Sequence, residues 1–260
     1  MTSSTAWIVA GRELRELWCG GRGPLLLLAF SVLLSVITYL AATNQVLNFL
    51  EQREAVNLVL KVAIAVGALV TLVLAADGVS GERERATLEA LLVTPARRPG
   101  ILLGKWLAAM SWWFAGYAIV LPYLWVLGRG VSAAWPAIYS GLLAGTILAA
   151  ALSLLALLIS CLATTNRTSL GASLLLLLAL FAPTQLPRGL PQSWFGDLLS
   201  WLNPVSAALR FAGDVVVTGH AWNHPLGLLL SPALIAVLAA VALRAWGAAA
   251  MANALGRTHE

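Results

Sequence analysis

Six long apolar runs constrain this chain more than any other feature. They lie at approximately 24–43, 58–76, 105–127, 137–163, 169–186 and 226–246. A helix crosses a hydrocarbon core of about 30 Å with roughly 20 apolar residues at 1.5 Å rise each, and each run reaches or approaches that length. Charged residues make up only 10% of the 260. A soluble domain carries about 25%, so too few charges are present to cover a water-facing surface, and the bilayer must be the main solvent. The expected class is an all-α polytopic membrane protein built as a single domain over 1–260. The first run is longer than the roughly 7–15 apolar residues of a signal peptide and reads as an uncleaved span.

Lysine and arginine set the expected orientation. With the N-terminus inside, Arg12, Arg15, Arg22, Arg83, Arg85, Arg97, Arg98, Lys105, Arg167, Arg244 and Arg257 fall on the inner side. Arg53, Lys61, Arg129, Arg188 and Arg210 fall outside. This asymmetry places both termini in the cytoplasm. It also explains the net charge of +5 by topology rather than by a nucleic-acid face. Trp18, Trp106 and Trp246 mark inner span ends, and Trp125, Trp135, Trp194, Trp201 and Trp222 mark outer ones, as amphipathic rings do at headgroup level. Cys19 and Cys161 are too few for a disulfide framework and lie near the reducing side.

Two elements flank the spans. Within 1–23, residues 4–19 place Trp7, Ala10, Leu14, Leu17 and Trp18 on one helical face and Arg12, Glu13, Arg15 and Glu16 opposite. This pattern predicts an interfacial helix, N-capped by Ser3 or Ser4, lying in the headgroup plane. Residues 187–225 form the longest connection. Its pieces Trp194–Leu202 and Val205–Val217 read as short helices at the outer surface.

The dense charge of the chain is gathered in the inner connection 77–104. Asp77 and Gly78 are expected to end the second span, with Gly81 freeing the backbone to turn. Glu82 and Glu84 then sit near the N-terminus of a new helix, where its dipole favours them. Leu88, Leu91 and Leu92, at i, i+3 and i+4, form an apolar stripe, and Thr94-Pro95 stops the helix. A loop that obeyed charge topology alone would need neither glutamates nor a leucine stripe. The segment therefore reads as a short helix presented for docking.

The stretch Gly81-Glu-Arg-Glu-Arg-Ala-Thr-Leu-Glu-Ala-Leu-Leu-Val-Thr-Pro95, followed by Arg97-Arg98 and Gly104-Lys105, resembles the cytoplasmic loop of ABC-2 type permease subunits, the membrane halves of ABC transporters that are chiefly exporters. The resemblance covers the whole chain. It implies six spans, an N-terminal interfacial helix, a coupling helix between spans two and three, and short outer helices before span six. The implied coupling segment comprises Gly81, Glu82, Arg83, Glu84, Arg85, Thr87, Leu88, Glu89, Leu91, Leu92, Thr94 and Pro95. In it the leucines fill a cleft of the ATPase and the glutamates pair with basic groups around that cleft. Ala86 departs from the family, which usually has glycine there, and as a helix former it is expected to start the docking helix a residue or two early. The implied partners are two copies of an ABC ATPase subunit, a second permease subunit (the same or similar) and the lipid bilayer, without nucleic acid. No cofactor or metal is expected on this chain; ATP and Mg belong to the ATPase. The implied site is the cytoplasmic (inner) membrane, and the implied activity is ATP-driven export, with the path between two membrane subunits.

The other motifs carry less. Gly100-Ile-Leu-Leu-Gly-Lys105-Trp106 has the wrong spacing for a phosphate loop, ends in Trp rather than Ser/Thr and follows no strand, so the chain is not expected to be an enzyme. Gly141-xxx-Gly145 permits close helix approach, within the subunit or across a dimer. His220 and His224 lack a third ligand for a metal. No nucleophile triad or carboxylate pair occupies the spans, which disfavours intramembrane catalysis. Apolar spans with almost no buried charge suit an amphipathic or lipid-like cargo. The alternatives are export of a sulfur, haem or metal-site precursor for maturation of another protein, or a membrane scaffold without transport.

Overall fold

The structure is a computed structural model that describes residues 2–43, 49–87, 98–185, 202–219 and 226–247. Among these residues every regular element is helical: α1 (Thr2–Cys19), α2 (Arg22–Thr43), α3 (Phe49–Glu84), α4 (Arg98–Gly128), α5 (Ala134–Leu162), α6 (Asn166–Phe181), α7 (Pro204–Gly213) and α8 (Leu230–Ala242). Six helical stretches are long and apolar enough to cross a membrane: Arg22–Thr43, Gln52–Glu84, Arg98–Val131, Ala134–Leu162, Asn166–Thr184 and Leu226–Gly247. They coincide with the six apolar runs. The second and third extend well past the runs that predict them, because a helix can continue through charged residues that find partners inside the protein.

Helices α3, α4 and α5 form the centre. Helices α3 and α5 run in the same direction, with Gly141 against Leu60, Gly145 against Ile64 and Gly78 against Leu157. Helix α4 runs antiparallel to both and drives Trp113 between them. A Cβ on Gly67 would lie 2.6 Å from the Trp113 ring, and one on Gly145 would overlap the same ring. The indole nitrogen of Trp113 donates to Thr146 Oγ1 at 3.0 Å. Gly141 and Gly145 thus serve packing inside the subunit. The missing side chains let a fully buried tryptophan act as the wedge, in the way small residues let membrane helices approach.

The periphery is thinner. Helix α2 touches the centre through Phe30, edge-on to Trp112 at 5.7 Å, and through Ser35 Oγ, 2.7 Å from Tyr123 Oη. Its other face exposes Leu25, Leu28, Val32, Val36 and Leu40. Helix α7 and the helical turn Asp214–Thr218 that continues it do more than rest on the surface, since Val205, Ala208, Phe211, Ala212, Val215 and Val216 are buried. Asn203 fixes its start. Its Oδ1 accepts from the Val205 and Ser206 amides at 2.9 and 3.3 Å, and its Nδ2 donates to Leu180 O at 2.7 Å. One side chain thereby caps α7 and satisfies a carbonyl at the end of α6. The expected helix at Trp194–Leu202 lies, but for Leu202, outside the described residues.

Helix α1 packs on the protein along one face. Val9 packs on Ile101, the Glu13 carboxylate meets Lys105 at 2.9 Å, and Trp18 Nε1 donates to Ser111 Oγ at 3.2 Å. This one-to-one register lays α1 along the start of α4. Ala10 is buried, while Trp7 and Ile8 are exposed. The apolar face of α1 is spent largely on the protein itself.

Candidate functional site

At one end of the bundle, α3 runs on through Asp77, Gly78 and Gly81 as regular helix and stops only after Glu84. The expected turn at Gly81 therefore does not occur. That glycine instead makes room, since a Cβ there would overlap the Asp77 carboxylate. The helix ends in a left-handed cap. Ala86 has φ of 56°, its amide donates to Arg83 O at 3.1 Å, and the Thr87 amide donates to Glu82 O at 3.0 Å. This pair of bonds is a Schellman motif, with alanine where glycine is the usual residue. Ala86 closes the second span rather than opening a docking helix. Glu82 and Glu84 accordingly occupy the last turn of α3, not the first turn of a new helix.

Charge ties this helix end to its neighbours. Lys105 Nζ lies 2.9 Å from Glu13 Oε1 of α1 and 2.9 Å from Glu82 Oε1, with 2% of the lysine side chain exposed. Arg12 approaches Glu82 at 4.0 Å. One turn away Asp77 accepts from Arg22 at 3.2 Å, Arg85 at 3.1 Å and Asn166 Nδ2 at 2.8 Å, and Arg85 also pairs with Glu16 at 3.6 Å. A small cavity of about 80 Å³ separates the two groups. Glu82 Oε2 is buried without a hydrogen-bond partner, and a cavity this size admits the water that such a group wants.

Helices α5 and α6 join through polar side chains. Arg83 donates to Ala163 O and, at 3.2 Å, to Cys161 O, taking carbonyls that the end of α5 leaves open. The Val79 and Ser80 amides donate to Ser160 Oγ at 3.1 and 2.9 Å, while Ala76 O accepts the hydroxyls of Ser80 and Ser169, each at 2.8 Å. Side-chain hydroxyls thus enter the backbone ladder of α3 between Ala76 and Ser80. Thr165 caps α6 in a capping box with Thr168, which presents Asn166 to Asp77 and its amide to Glu84 Oε2 at 3.3 Å.

Of the residues named from sequence, Gly81, Glu82, Arg83, Glu84, Arg85 and Thr87 lie in this knot. Glu82 is turned inward and is 7% exposed; Glu84, Arg85 and Thr87 are on the surface. Leu88, Glu89, Leu91, Leu92, Thr94 and Pro95 fall outside the described residues, as do His220 and His224. Sequence reasoning missed Lys105 as a hub for Glu13 and Glu82, and missed Asp77, Ser160 and Asn166 as the polar links from α3 to its other neighbours. The only signal was a lysine and a glutamate at span edges with no stated partner. The phosphate-loop look-alike lies within α4, and its lysine is committed to two carboxylates.

Comparison with known proteins decides the family. The profile of ABC-2 family transporter proteins matches residues 7–252, nearly the whole chain. The chain belongs to the ABC-2 transporter family. A segment of 51 residues is also 41% identical to the ABC transporter permease protein NatB of Bacillus subtilis (strain 168), covering 20% of this chain and 13% of that protein. An ABC-2 chain is a membrane transport subunit, and the chain matches only a small part of the length of that permease.

Proposed function

We propose that this ABC-2 subunit exports an amphipathic cargo across the cytoplasmic membrane, with the knotted end in the cytoplasm and ATP hydrolysed by a separate subunit that grips the 81–95 segment. The observation that carries this reading is the root of that segment. The last turn of α3 is joined to α1 and α4 through Lys105, to α5 through Arg83 and to α6 through the Asn166 amide on Glu84. A displacement applied beyond Thr87 therefore reaches all of these helices together. Concentrated charge pairs and hydroxyls in the ladder make this end a discrete joint, the kind of element that ATP-driven closure can move between two packings.

The exposed Glu84, Arg85 and Thr87, with the leucines that follow, form the contact with the ATPase in this reading. Two permease subunits enclose the path, and two ATPase subunits complete the transporter. Co-purification of the chain with its ATPase tests it. Leu88→Asp is expected to abolish the complex and Glu84→Arg to weaken it. If both variants assemble and hydrolyse ATP like the wild type, the segment is not the coupling element. A cysteine reporter at Arg85 that labels only from outside would overturn the orientation, and ATPase stimulation across a cargo panel identifies the substrate.

A further inference from the structure

Helix α1 runs parallel to α4, since Val9, Glu13 and Trp18 meet Ile101, Lys105 and Ser111 at a nearly constant offset. From Lys105 to Trp125, α4 rises about 30 Å at 1.5 Å per residue, the thickness of a hydrocarbon core. Trp7 and Ile8 stand beside the first turn of α4, about 8 Å beyond Lys105 on the side away from that core. They are 67% and 71% exposed. Along the chain Arg12, Glu13, Arg15 and Glu16 separate this apolar pair from the exposed Leu25 and Leu28 of α2. A belt of charge thus divides two apolar surfaces, one level with the bilayer and one outside it. An indole and an isoleucine side chain left together outside the hydrocarbon mark a protein contact.

We infer that this face of α1 is a second docking surface for the ATPase subunit, beside the 81–95 segment. Trp7, Gly11 and Arg15 follow at i, i+4 and i+8, on the side of α1 turned away from α4. A Cβ on Gly11 would meet nothing within 4 Å, so a gap opens between the indole and the guanidinium. It belongs to an open groove of about 510 Å³ that Ile8, Arg12 and Glu16 also line. The gap takes an apolar side chain of the partner. Arg15 is exposed, has no ion-pair partner among the described residues and takes a carboxylate next to that side chain. Continuity makes the ATPase the occupant. Arg12 stands 4.0 Å from Glu82 and Glu16 3.6 Å from Arg85, so this face is tied to the last turn of α3, where Glu84 and Arg85 are exposed. A partner that grips the segment beyond Thr87 therefore lies against α1 as well. The identity of the partner rests on the coupling reading; the shape and charge of the groove do not.

Titration of the full chain, held in nanodiscs, with its purified ATPase subunit in biolayer interferometry tests the proposal. Gly11→Leu, which fills the gap, and Trp7→Ala, which removes the ring, should each raise Kd about tenfold, the loss typical of a central contact residue. Arg15→Glu should raise Kd at low salt and less so at high salt, whereas Arg15→Lys should keep most of the affinity. The Tm of Gly11→Leu should hold or rise, because its Cβ is unobstructed and leucine is the better helix former; this is the folding control. Wild-type affinity in both Gly11→Leu and Trp7→Ala overturns the docking surface. Leu88→Asp separates the two readings. If it abolishes binding while the α1 variants bind normally, the coupling segment stands and α1 is not a dock. If it binds normally while the α1 variants are weakened, α1 is the dock and the coupling reading falls. Altered self-association of the α1 variants in mass photometry, with ATPase affinity unchanged, would make the face a contact between two copies of the chain and also overturn the proposal.

Discussion

Lys105 of α4 and Glu82 of α3 meet at 2.9 Å with 2% and 9% of their side chains exposed, and the same ammonium holds Glu13 of α1 at 2.9 Å. One buried cation thus serves two carboxylates on two helices. Removing it leaves both carboxylates without their main partner in a place from which water is largely excluded.

Lys105→Met is therefore expected to destabilise the chain by about 3 kcal/mol, the range for breaking a buried pair from one side. Lys105→Arg should recover much of that loss, because the charge is kept although the fork fits the site less well. Thermal unfolding of the purified chain in detergent checks the order wild type, Arg, Met. Equal Tm values for the wild type and Lys105→Met would show that the triad contributes nothing net.

The two glutamates of α1 separate by burial. Glu13 pairs with a buried lysine, whereas Glu16 faces Arg85 at 3.6 Å with 54% and 42% of the side chains exposed. Exposed pairs contribute about 0–1 kcal/mol and are screened by salt. Glu16→Gln should thus shift Tm little, and not at all in high salt. Glu13→Gln should lower it in low and high salt alike. A salt-sensitive Glu13 effect of the same size as that of Glu16 would contradict the burial difference.

Ala86 offers a prediction of opposite sign. A left-handed conformation costs a residue with a Cβ about 1–2 kcal/mol, while glycine adopts it freely but gives up unfolded-chain entropy in return. Ala86→Gly is expected to stabilise the end of α3 by about 1 kcal/mol, and Ala86→Val to destabilise it by more than that. Hydrogen exchange of the Arg85, Ala86 and Thr87 amides reads the effect locally. Slower exchange in the glycine variant is the expected result; faster exchange would mean that the cap is not left-handed.

The six spans were legible because hydropathy measures transfer into lipid, and each run is about as long as a bilayer is thick. The ends of α3 and α4 were not legible for the same reason. Hydropathy falls at Asp77, but helicity does not, since Arg22, Arg85 and Asn166 converge on that carboxylate from elsewhere in the fold. Lys105 looked like a simple inner-edge lysine because Glu13 lies 92 positions away. Ala86 misled in another way. Its helix propensity is real, but the Schellman bonds of Arg83 and Glu82 outweigh it, and propensity is only a weak prior. The ABC-2 resemblance was carried by the segment 81–95, of which the described part is the root.

The central wedge supplies the last test. A methyl on Gly67 would sit 2.6 Å from Trp113, and that ring is fixed on its other side by Gly145 and by its bond to Thr146 at 3.0 Å. It cannot swing away without losing the bond, so α3 and α4 must separate. Overpacking of this kind costs about 1–3 kcal/mol. Gly67→Ala is expected to lower Tm, and Gly67→Ala combined with Trp113→Phe should recover part of the loss, because the smaller ring yields space. Gly171→Ala in α6 is the control. A Cβ there meets nothing within 4 Å, and alanine is the better helix former by about 1 kcal/mol, so its Tm should hold or rise. If the two single variants behave alike, Trp113 is not a tight wedge, and the close approach of α3 to α4 and α5 must rest on other contacts.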